Sequence, residues 1–191
     1  MLEYNQLRYN DLKDKKHYDT ELTQEDKKIK FMFASTGNST IIKLIEYAPI
    51  QQQEDGRYVY NLGFGDYDDA NKTLVDDVNS NNGDMYTVFN TVLHSIPVFF
   101  AERPYDVIYV RGSDSADDFK LNCINTCTKK CKDECRKTNQ RINTYRYYVN
   151  KNFDELSKDY DFYGRNSTGG EEFVQYVPGE TYHEILVYKK K

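Results

Sequence analysis

A long amphipathic pattern near the middle of the chain predicts a helix. Its apolar residues fall three and four positions apart and form one wide stripe: Met85, Val88, Phe89, Val92, Leu93, Ile96, Phe99 and Phe100. Thr91 is expected on the opposite side, and Asn82 or Asp84 is expected to cap the amino end. We expect Pro97 to kink the helix and Pro104 to end it. The stripe predicts that this helix lies against the core.

Alternating apolar and polar residues before this helix predict strands from residue 31, over 41–47 and over 58–65. Gly37 and Asn38 are expected to form a tight turn with positive φ. Gly63 and Gly65 share one face of the third strand, and a face without side chains allows a close approach. We therefore expect the central helix to pack against that glycine face.

The pattern after the helix predicts a short strand over 107–110 and a second long helix over 141–160. The second helix has a stripe that includes Ile142, Tyr145, Tyr148 or Val149, and Leu156. Two alternating segments, 172–177 and 184–189, are expected to pair as a hairpin through Pro178 and Gly179.

These elements predict an α+β protein with an antiparallel sheet of about five or six strands and two long helices packed on one face. We expect a polar N-terminal arm over 1–29. Residues 30–191 are expected to form a single α+β domain with a cysteine-bearing helical insertion at 114–140.

Composition and charge predict the cellular compartment of the protein. The 191 residues include 18 Tyr, 10 Phe and no Trp, and the formal net charge is -5. No apolar run approaches the roughly 20 residues that span a bilayer, and residues 1–30 are too polar for a signal peptide. We expect a soluble cytoplasmic protein that does not bind membranes, and the overall charge argues against a general nucleic-acid binder.

Six carboxylates lie within a short stretch before and at the start of the central helix: Asp66, Asp68, Asp69, Asp76, Asp77 and Asp84. Clustered oxygens suit Mg²⁺ or Ca²⁺, but the spacing differs from that of a calcium-binding hand. A solvated acidic loop is the favoured interpretation, because Asp is common in loops and at helix starts.

The segment Gly112-Ser113 follows a predicted strand and offers two interpretations. Backbone amides there could bind an anion if a helix begins at this point. The segment lacks the spaced glycines and the lysine of a phosphate loop, so we favour an ordinary helix cap by Ser113 or Asp114.

The charge balance inverts over 119–151, where nine Lys and Arg residues stand against two acidic residues, a net +7 that leaves -12 for the rest of the chain. Tyrosines interleave with these cations, among them Tyr145 beside Arg141 and Arg146. Such a segment can bind nucleic acid, an acidic protein partner, or the acidic part of its own chain. We place a protein partner ahead of nucleic acid.

All four cysteines lie in this basic segment, three residues apart: Cys123, Cys127, Cys131 and Cys135. On one unbroken helix the outer two would be about 18 Å apart, so a helical hairpin turning at 128–130 is needed to bring them together. Three states stay open: a structural zinc site with four thiolates, reduced thiols, or nested disulfides joining the outer and the inner pairs. The reducing conditions of the cytosol disfavour disulfides. Zinc is the cofactor that we expect.

Several short motifs together resemble an uncharacterised family of small proteins common in Bacteroidota. They are Tyr60-Asn61-Leu62-Gly63-Phe64-Gly65-Asp66, Asn81-Asn82-Gly83-Asp84, Thr91-Val92, Gly112-Ser113, Arg141 with Tyr145-Arg146, Phe162-Tyr163-Gly164 and Leu186-Val187-Tyr188-Lys189. The resemblance extends over roughly residues 30–189. It implies no catalytic role, because that family has no established activity, and this chain departs from the pattern by the cysteine-bearing insertion.

The sequence therefore leaves two functional hypotheses. The first is a binding or regulatory module that acts through its basic, tyrosine-rich helix. The second is a small hydrolase or nuclease-like toxin with a site near Asp66, Asp84, Ser113 and Arg141. Its three histidines, His17, His94 and His183, are scattered along the chain. Our candidate binding residues are Asp66, Asn82, Asp84, Ser113, Arg141, Tyr145 and Arg146.

Overall fold

A computed structural model describes residues 15–75, 81–115, 119, 121, 123, 135, 137–166 and 172–191. The chain divides after Asp106 into two compact units. No helix in the described ranges is long and apolar enough to cross a membrane.

Over residues 15–75 and 81–106, the first unit contains five antiparallel strands and one long helix. Its elements are β1 (Glu21–Glu25), β2 (Lys28–Ser35), β3 (Ile41–Gln52), β4 (Tyr58–Asp68), β5 (Thr73–Val75) and α1 (Met85–Glu102). Strands β1 to β4 pair in chain order, and β5 pairs with β4. A two-residue turn joins β1 to β2, and Asp26 and Lys27 there have φ of 46° and 69°, which is the conformation that tight hairpins require.

Helix α1 covers one face of this sheet, as the apolar stripe predicts. Phe99 is fully buried, and its ring centroid lies 4.5 Å from that of Tyr47 and 5.1 Å from that of Tyr60. The predicted burial of α1 residues is wrong at two positions. Met85 is 53% exposed, and Thr91 is fully buried. Thr91 tolerates burial because its hydroxyl donates to the Thr87 carbonyl oxygen at 2.8 Å, so its polar atom is satisfied.

The prediction that α1 packs on the glycine face of β4 is wrong. Phe64, on the other face, contacts the helix through Phe89, with ring centroids 5.8 Å apart. The glycine face is covered by β5 instead: a Cβ added at Gly65 would collide with the carbonyl oxygen of Val75 and the side chain of Leu74. The close approach that the glycines allow is made by a neighbouring strand segment.

The predicted hairpin connection at Gly37 and Asn38 is confirmed, because β2 and β3 pair antiparallel on either side of it. The expected positive φ is wrong, since neither residue has one. A Cβ at Gly37 would lie 2.9 Å from side-chain atoms of Asn82. Glycine is therefore needed here to give Asn82 room.

Within residues 107–115, 137–166 and 172–191, the second unit has four antiparallel strands and two helices. They are β6 (Val107–Arg111), α2 (Gln140–Lys151), α3 (Phe153–Asp159), β7 (Tyr160–Arg165), β8 (Val174–Gln175) and β9 (Glu184–Lys189), with a single 3-10 turn at Ser113–Ser115. The strand order is β6, β9, β7, β8. The predicted hairpin between the last two strands is therefore wrong, because β7 lies between β8 and β9. A Cβ at Gly164 in β7 would collide with the Tyr182 ring, so glycine lets the β8–β9 connection fold back against β7.

The predicted second long helix is two helices, α2 and α3, separated at Asn152, whose φ is -114°. Ile142, Tyr148 and Leu156 are buried as the stripe requires. The nine strands in the described ranges exceed the five or six that we predicted. Two of the additional ones are β1 and β5. Strand β1 is polar and falls inside the predicted N-terminal arm, and β5 has only three residues, too few to show an alternating pattern.

Candidate binding cleft

The first unit carries an open cleft of about 940 Å³ beside the ends of β2, β3 and β4. Its lining consists of Asp19, Thr20, Glu21, Met32, Phe33, Ala34, Thr40, Ile41, Ile42, Asp66, Tyr67, Asp68, Asp69 and Val75. The lining combines aliphatic side chains with five carboxylates. This combination makes the cleft the strongest candidate for a ligand site.

The apolar floor of the cleft, which we define as Met32, Ala34 and Ile42, follows from strand alternation. Phe31 and Phe33 are 2% and 3% exposed and face the buried side of β2. Met32 and Ala34 alternate with them along the strand and therefore face the other way. Ala34 is opposite Ile42 on β3, and Ile42 is 41% exposed. Aliphatic side chains thus remain accessible on the sheet face opposite α1.

The acidic rim, which we define as Asp19, Glu21, Asp68 and Asp69, borders this floor. The side chains of Asp19 and Glu21 are exposed. Asp68 accepts hydrogen bonds from the Asn71 side chain at 2.6 Å and the Ala70 amide at 2.9 Å, and these bonds hold the pKa of Asp68 below its ordinary value. Asp69 is paired with the ammonium group of Lys72 at 2.5 Å, so the negative charge of the rim comes from Asp19, Glu21 and Asp68.

Asp66 is part of the lining, but its carboxylate is already paired. It accepts from the Lys43 ammonium, the cross-strand neighbour of Asp66 on β3. The Asp66 residue is only 3% exposed, so the expectation of a solvated acidic loop is wrong for this residue. No group of three or more metal-ligating side chains occurs in the described residues. Asp76 and Asp77 lie outside them.

Hydrogen bonds of Asp84 and Asn82 fix the position of the N-terminal end of α1. Asp84 Oδ2 accepts from the Tyr18 hydroxyl at 2.8 Å and from the Ser35 hydroxyl at 2.7 Å. Asn82 Nδ2 donates to Ser35 Oγ at 2.9 Å and to the Ser39 carbonyl oxygen at 2.9 Å. Burial opposes the charge on Asp84, but the Ser35 and Tyr18 hydrogen bonds outweigh it and lower its pKa.

The expected side-chain cap at this helix start is wrong for Asp84. The residue occupies the N-cap position of α1, yet its side chain makes no capping hydrogen bond. Its carboxylate is used by Tyr18 and Ser35 instead. Asp84 thus links the helix start to β2 and to the segment before β1.

Sequence patterns do not reveal how the segment before β1 is fastened to α1. The Tyr18 amide donates to Thr91 Oγ1 at 2.9 Å, and Asn90 Nδ2 donates to the Lys16 carbonyl oxygen at 3.1 Å. The rings of His17 and His94 stack with centroids 3.8 Å apart. These partners are more than 70 residues apart in the sequence, and no local pattern connects them.

The remaining predicted site residues lie in the second unit. Arg141 Nη1 donates to the Ser113 hydroxyl. The Arg141 backbone amide donates to Asp114 Oδ2 at 3.0 Å, so Asp114 caps α2, a helix that begins far along the chain from it. Burial raises the pKa of Asp114 and lowers that of Arg141. Burial also raises the pKa of Tyr145 to about 12, with Arg141 acting in the opposite direction.

Arg146 ties α2 to the loop before β9. Its guanidinium donates to the Glu180 carbonyl oxygen at 2.6 Å, to Thr181 Oγ1 at 3.3 Å and to Asn143 Oδ1 at 2.9 Å. Several other cations of the basic segment, including Lys129 and Lys130, lie outside the described residues.

Two of the four cysteines lie in the described residues. Cys123 is 8% exposed, and Cys135 is partly exposed. Cys127 and Cys131 lie outside the described residues, so the four-thiolate zinc site stays a prediction.

The comparisons with known proteins identify a family without a known activity. No curated protein and no solved structure matches the chain. A family profile matches residues 14–118 and includes every residue of the cleft lining. Cys123 and Cys135 lie beyond the match. The chain belongs to the DUF6934 family, a family of unknown function.

Proposed function

We propose that this chain is a binding module whose cleft in the first unit receives a basic, extended segment of a protein partner. The observation that carries the proposal is the combination of an apolar floor and an acidic rim in one open cleft of about 940 Å³. Cavities of this size fall in the range typical of ligand sites.

The chemistry of the cleft favours Lys and Arg side chains as ligands. Their aliphatic stems can pack on Met32, Ala34 and Ile42 while the charged ends reach the carboxylates of the acidic rim. A phosphate backbone would instead meet charges of its own sign. A protein partner is therefore favoured over nucleic acid at this site.

The basic, tyrosine-rich helix is the alternative binding surface. Arg141 and Arg146 on α2 both bond to other residues of the second unit. Either cation would have to exchange these bonds for contacts with a ligand, which reduces the gain from binding. For this reason we assign the partner to the cleft.

A hydrolase or nuclease-like toxin ranks second. Its chemistry requires a base held against a nucleophile or a metal-bound water. Asp66 is paired with Lys43, and Asp84 accepts hydrogen bonds from Tyr18 and Ser35. The Ser113 hydroxyl accepts a hydrogen bond from Arg141. These contacts give each residue a structural role, and they favour the non-enzymatic proposal.

Fluorescence anisotropy with labelled peptides tests the proposal on the full chain. The probe is a peptide of about ten residues that alternates Lys and Leu, and its counterpart alternates Glu and Leu. We expect saturable binding of the basic peptide only. The double variant Asp19→Asn, Glu21→Gln should weaken this binding roughly 2- to 30-fold, because each exposed ion pair contributes about 0.2–1 kcal/mol.

A matched control separates the cleft from the general negative charge of the chain. Glu54 and Glu102 are exposed, belong to the first unit and lie outside the cleft lining. The double variant Glu54→Gln, Glu102→Gln removes the same charge and should leave the affinity within about twofold, because exposed charges outside the cleft are screened. Equal weakening by both double variants, or tighter binding of the acidic peptide, would contradict the proposal. Binding of a small polyamine but not of the peptide would replace the protein partner with a small cation.

A further inference from the structure

We propose that the edge of β1 binds the basic partner segment as an added β-strand. This inference rests on the proposed function, because it assigns the binding mode of the same extended segment. It adds a second surface, the edge of the sheet, to the cleft. Strand β1 comprises Glu21–Glu25, and its first residue, Glu21, also lines the cleft. The edge and the acidic rim are therefore continuous.

The outer edge of β1 presents backbone groups for pairing. Within the described ranges β2 is the only ladder partner of β1, and the five pairs run without a break from Glu21 and Met32 to Glu25 and Lys28. All five residues of β1 are exposed. A strand edge of this kind carries alternate N–H and C=O groups to which a further strand can bind.

The usual features that block a sheet edge are missing from β1. Natural edges are commonly protected by Pro, by a β-bulge or by Lys. The segment Glu21–Glu25 contains neither Pro nor Lys, and its register with β2 has no bulge. The edge is therefore open to an added strand.

The charges of β1 select a basic strand. Glu21 has no ion pair within the described residues. Glu25 contacts the Lys30 ammonium at 3.2 Å, but its side chain is 69% exposed and accessible to a second cation. Opposite charges on neighbouring strands stabilise their pairing, and like charges destabilise it. The two glutamates therefore attract a basic strand and repel an acidic one.

A second copy of this chain is a poor occupant of the edge. Antiparallel pairing of two β1 strands about a twofold axis at Thr23 would place Glu21 of each copy opposite Glu25 of the other. Like charges that face each other directly destabilise a strand pair. The edge therefore favours a basic partner over self-association.

The two faces of β1 predict the sequence of the added strand. Glu21 is opposite Met32, so Glu21 and Glu25 lie on the face that carries the cleft floor. Leu22 is opposite the buried Phe31 and lies on the other face, where its side chain is 45% exposed. A strand that alternates basic and apolar residues would place its cations beside the glutamates and its apolar side chains beside Leu22.

N-methylated peptides test the added strand by fluorescence anisotropy on the full chain. The probe is the peptide that alternates Lys and Leu. In an added strand only alternate residues direct their N–H groups towards β1. We expect N-methylation of one residue type, either Lys or Leu, to weaken binding at least about tenfold by removing several hydrogen bonds, and N-methylation of the other type to change it less than about threefold.

The outcomes of this test separate the inference from the proposed function. Equal binding of the unmodified and both methylated peptides would overturn the added strand and leave the cleft as the site. Equal weakening by both methylations would also overturn it, because only one edge of the peptide meets β1. Failure of the unmodified peptide to bind would overturn the proposed function and the added strand together.

Leu22 provides a variant outside the cleft lining. Leu22→Ser should weaken binding of the Lys–Leu peptide about three- to tenfold, because an apolar contact at the edge is lost. Ile50→Ser is the matched control, since Ile50 is 55% exposed in β3 and also lies outside the lining. Circular dichroism checks that both variants are folded. Equal affinities of the two variants would contradict binding along the edge.

Hydrogen exchange measured by mass spectrometry reports on the edge directly. Saturation with the Lys–Leu peptide should slow amide exchange over residues 21–25, because newly paired N–H groups become protected. Unchanged exchange over this segment would overturn the added strand. Sedimentation of the chain alone should show a monomer. A dimer that protects the same amides without peptide would overturn the proposal in favour of a second copy.

Discussion

Replacing Lys43 with methionine should strongly destabilise the first unit. Lys43 and Asp66 are opposite each other on β3 and β4, and their side chains are 12% and 5% exposed. Methionine retains most of the aliphatic stem but removes the ammonium group. The Asp66 carboxylate then stays buried without its cation, and breaking a buried pair in this way costs about 3–5 kcal/mol.

Urea unfolding followed by circular dichroism measures this cost. With a slope of about 1–3 kcal/mol/M, a loss of 3–5 kcal/mol lowers the unfolding midpoint by at least about 1 M. Lys28→Met is the control, because Lys28 pairs with Glu46 at 3.5 Å and its side chain is 44% exposed. An exposed pair of this kind contributes no more than about 1 kcal/mol.

The double variant Lys43→Met, Asp66→Leu isolates the cause. Replacing both members of a buried pair by apolar side chains is often neutral or stabilising, so this variant should be clearly more stable than Lys43→Met alone. If Lys43→Met costs no more than Lys28→Met, or if the double variant is as unstable as the single one, the buried pair does not have the role assigned here.

Removing the Ser35 hydroxyl should alter the stability of the protein in acid. Burial raises the pKa of Asp84, and the hydrogen bonds from Ser35 and Tyr18 outweigh it and lower this pKa below its ordinary value. A carboxyl group with a lowered pKa contributes stability that is present above its unfolded pKa of about 3.9 and is lost as the pH falls through the folded value. In Ser35→Ala the pKa of Asp84 rises, and the Asp84 contribution should be smaller at neutral pH and lost at a higher pH. An unchanged acid transition would contradict this role of Ser35.

Three further predictions concern packing and capping, and each is measured by chemical unfolding. Phe99→Ala should cost about 3–5 kcal/mol because Phe99 is fully buried, whereas Met85→Ala at an exposed position should stay within about 0.5 kcal/mol; equal effects would refute the placement of α1. Asp114→Ala should cost about 0.5–2 kcal/mol by removing the cap of α2, while Asp114→Asn keeps an acceptor and should cost less. Because the pKa of Asp114 is raised, its ionisation lowers stability as the pH rises through the folded value, and this pH dependence should vanish in Asp114→Asn. Gly164→Ala should destabilise the second unit through the Tyr182 ring, and Tyr182→Ala should make the same substitution nearly harmless.

Periodicity predicts the elements that bury an apolar stripe. The stripe of α1 from Val88 to Phe100 and the alternation in β2, β3 and β4 are strong enough for this purpose, because burial of one face determines which residues must be apolar. Periodicity does not predict which element packs on which face of a strand. Gly63 and Gly65 correctly indicate a close approach, but only the fold shows that β5 makes it.

Polar residues are harder to place from the sequence, because their burial depends on partners elsewhere in the chain. Asp66 appears in an acidic run and is nevertheless buried, since Lys43 lies opposite it on the neighbouring strand. Asp114 similarly caps a helix that begins at Gln140. The cleft was missed for a related reason: its floor and its rim come from separate segments, and none of them is unusual alone.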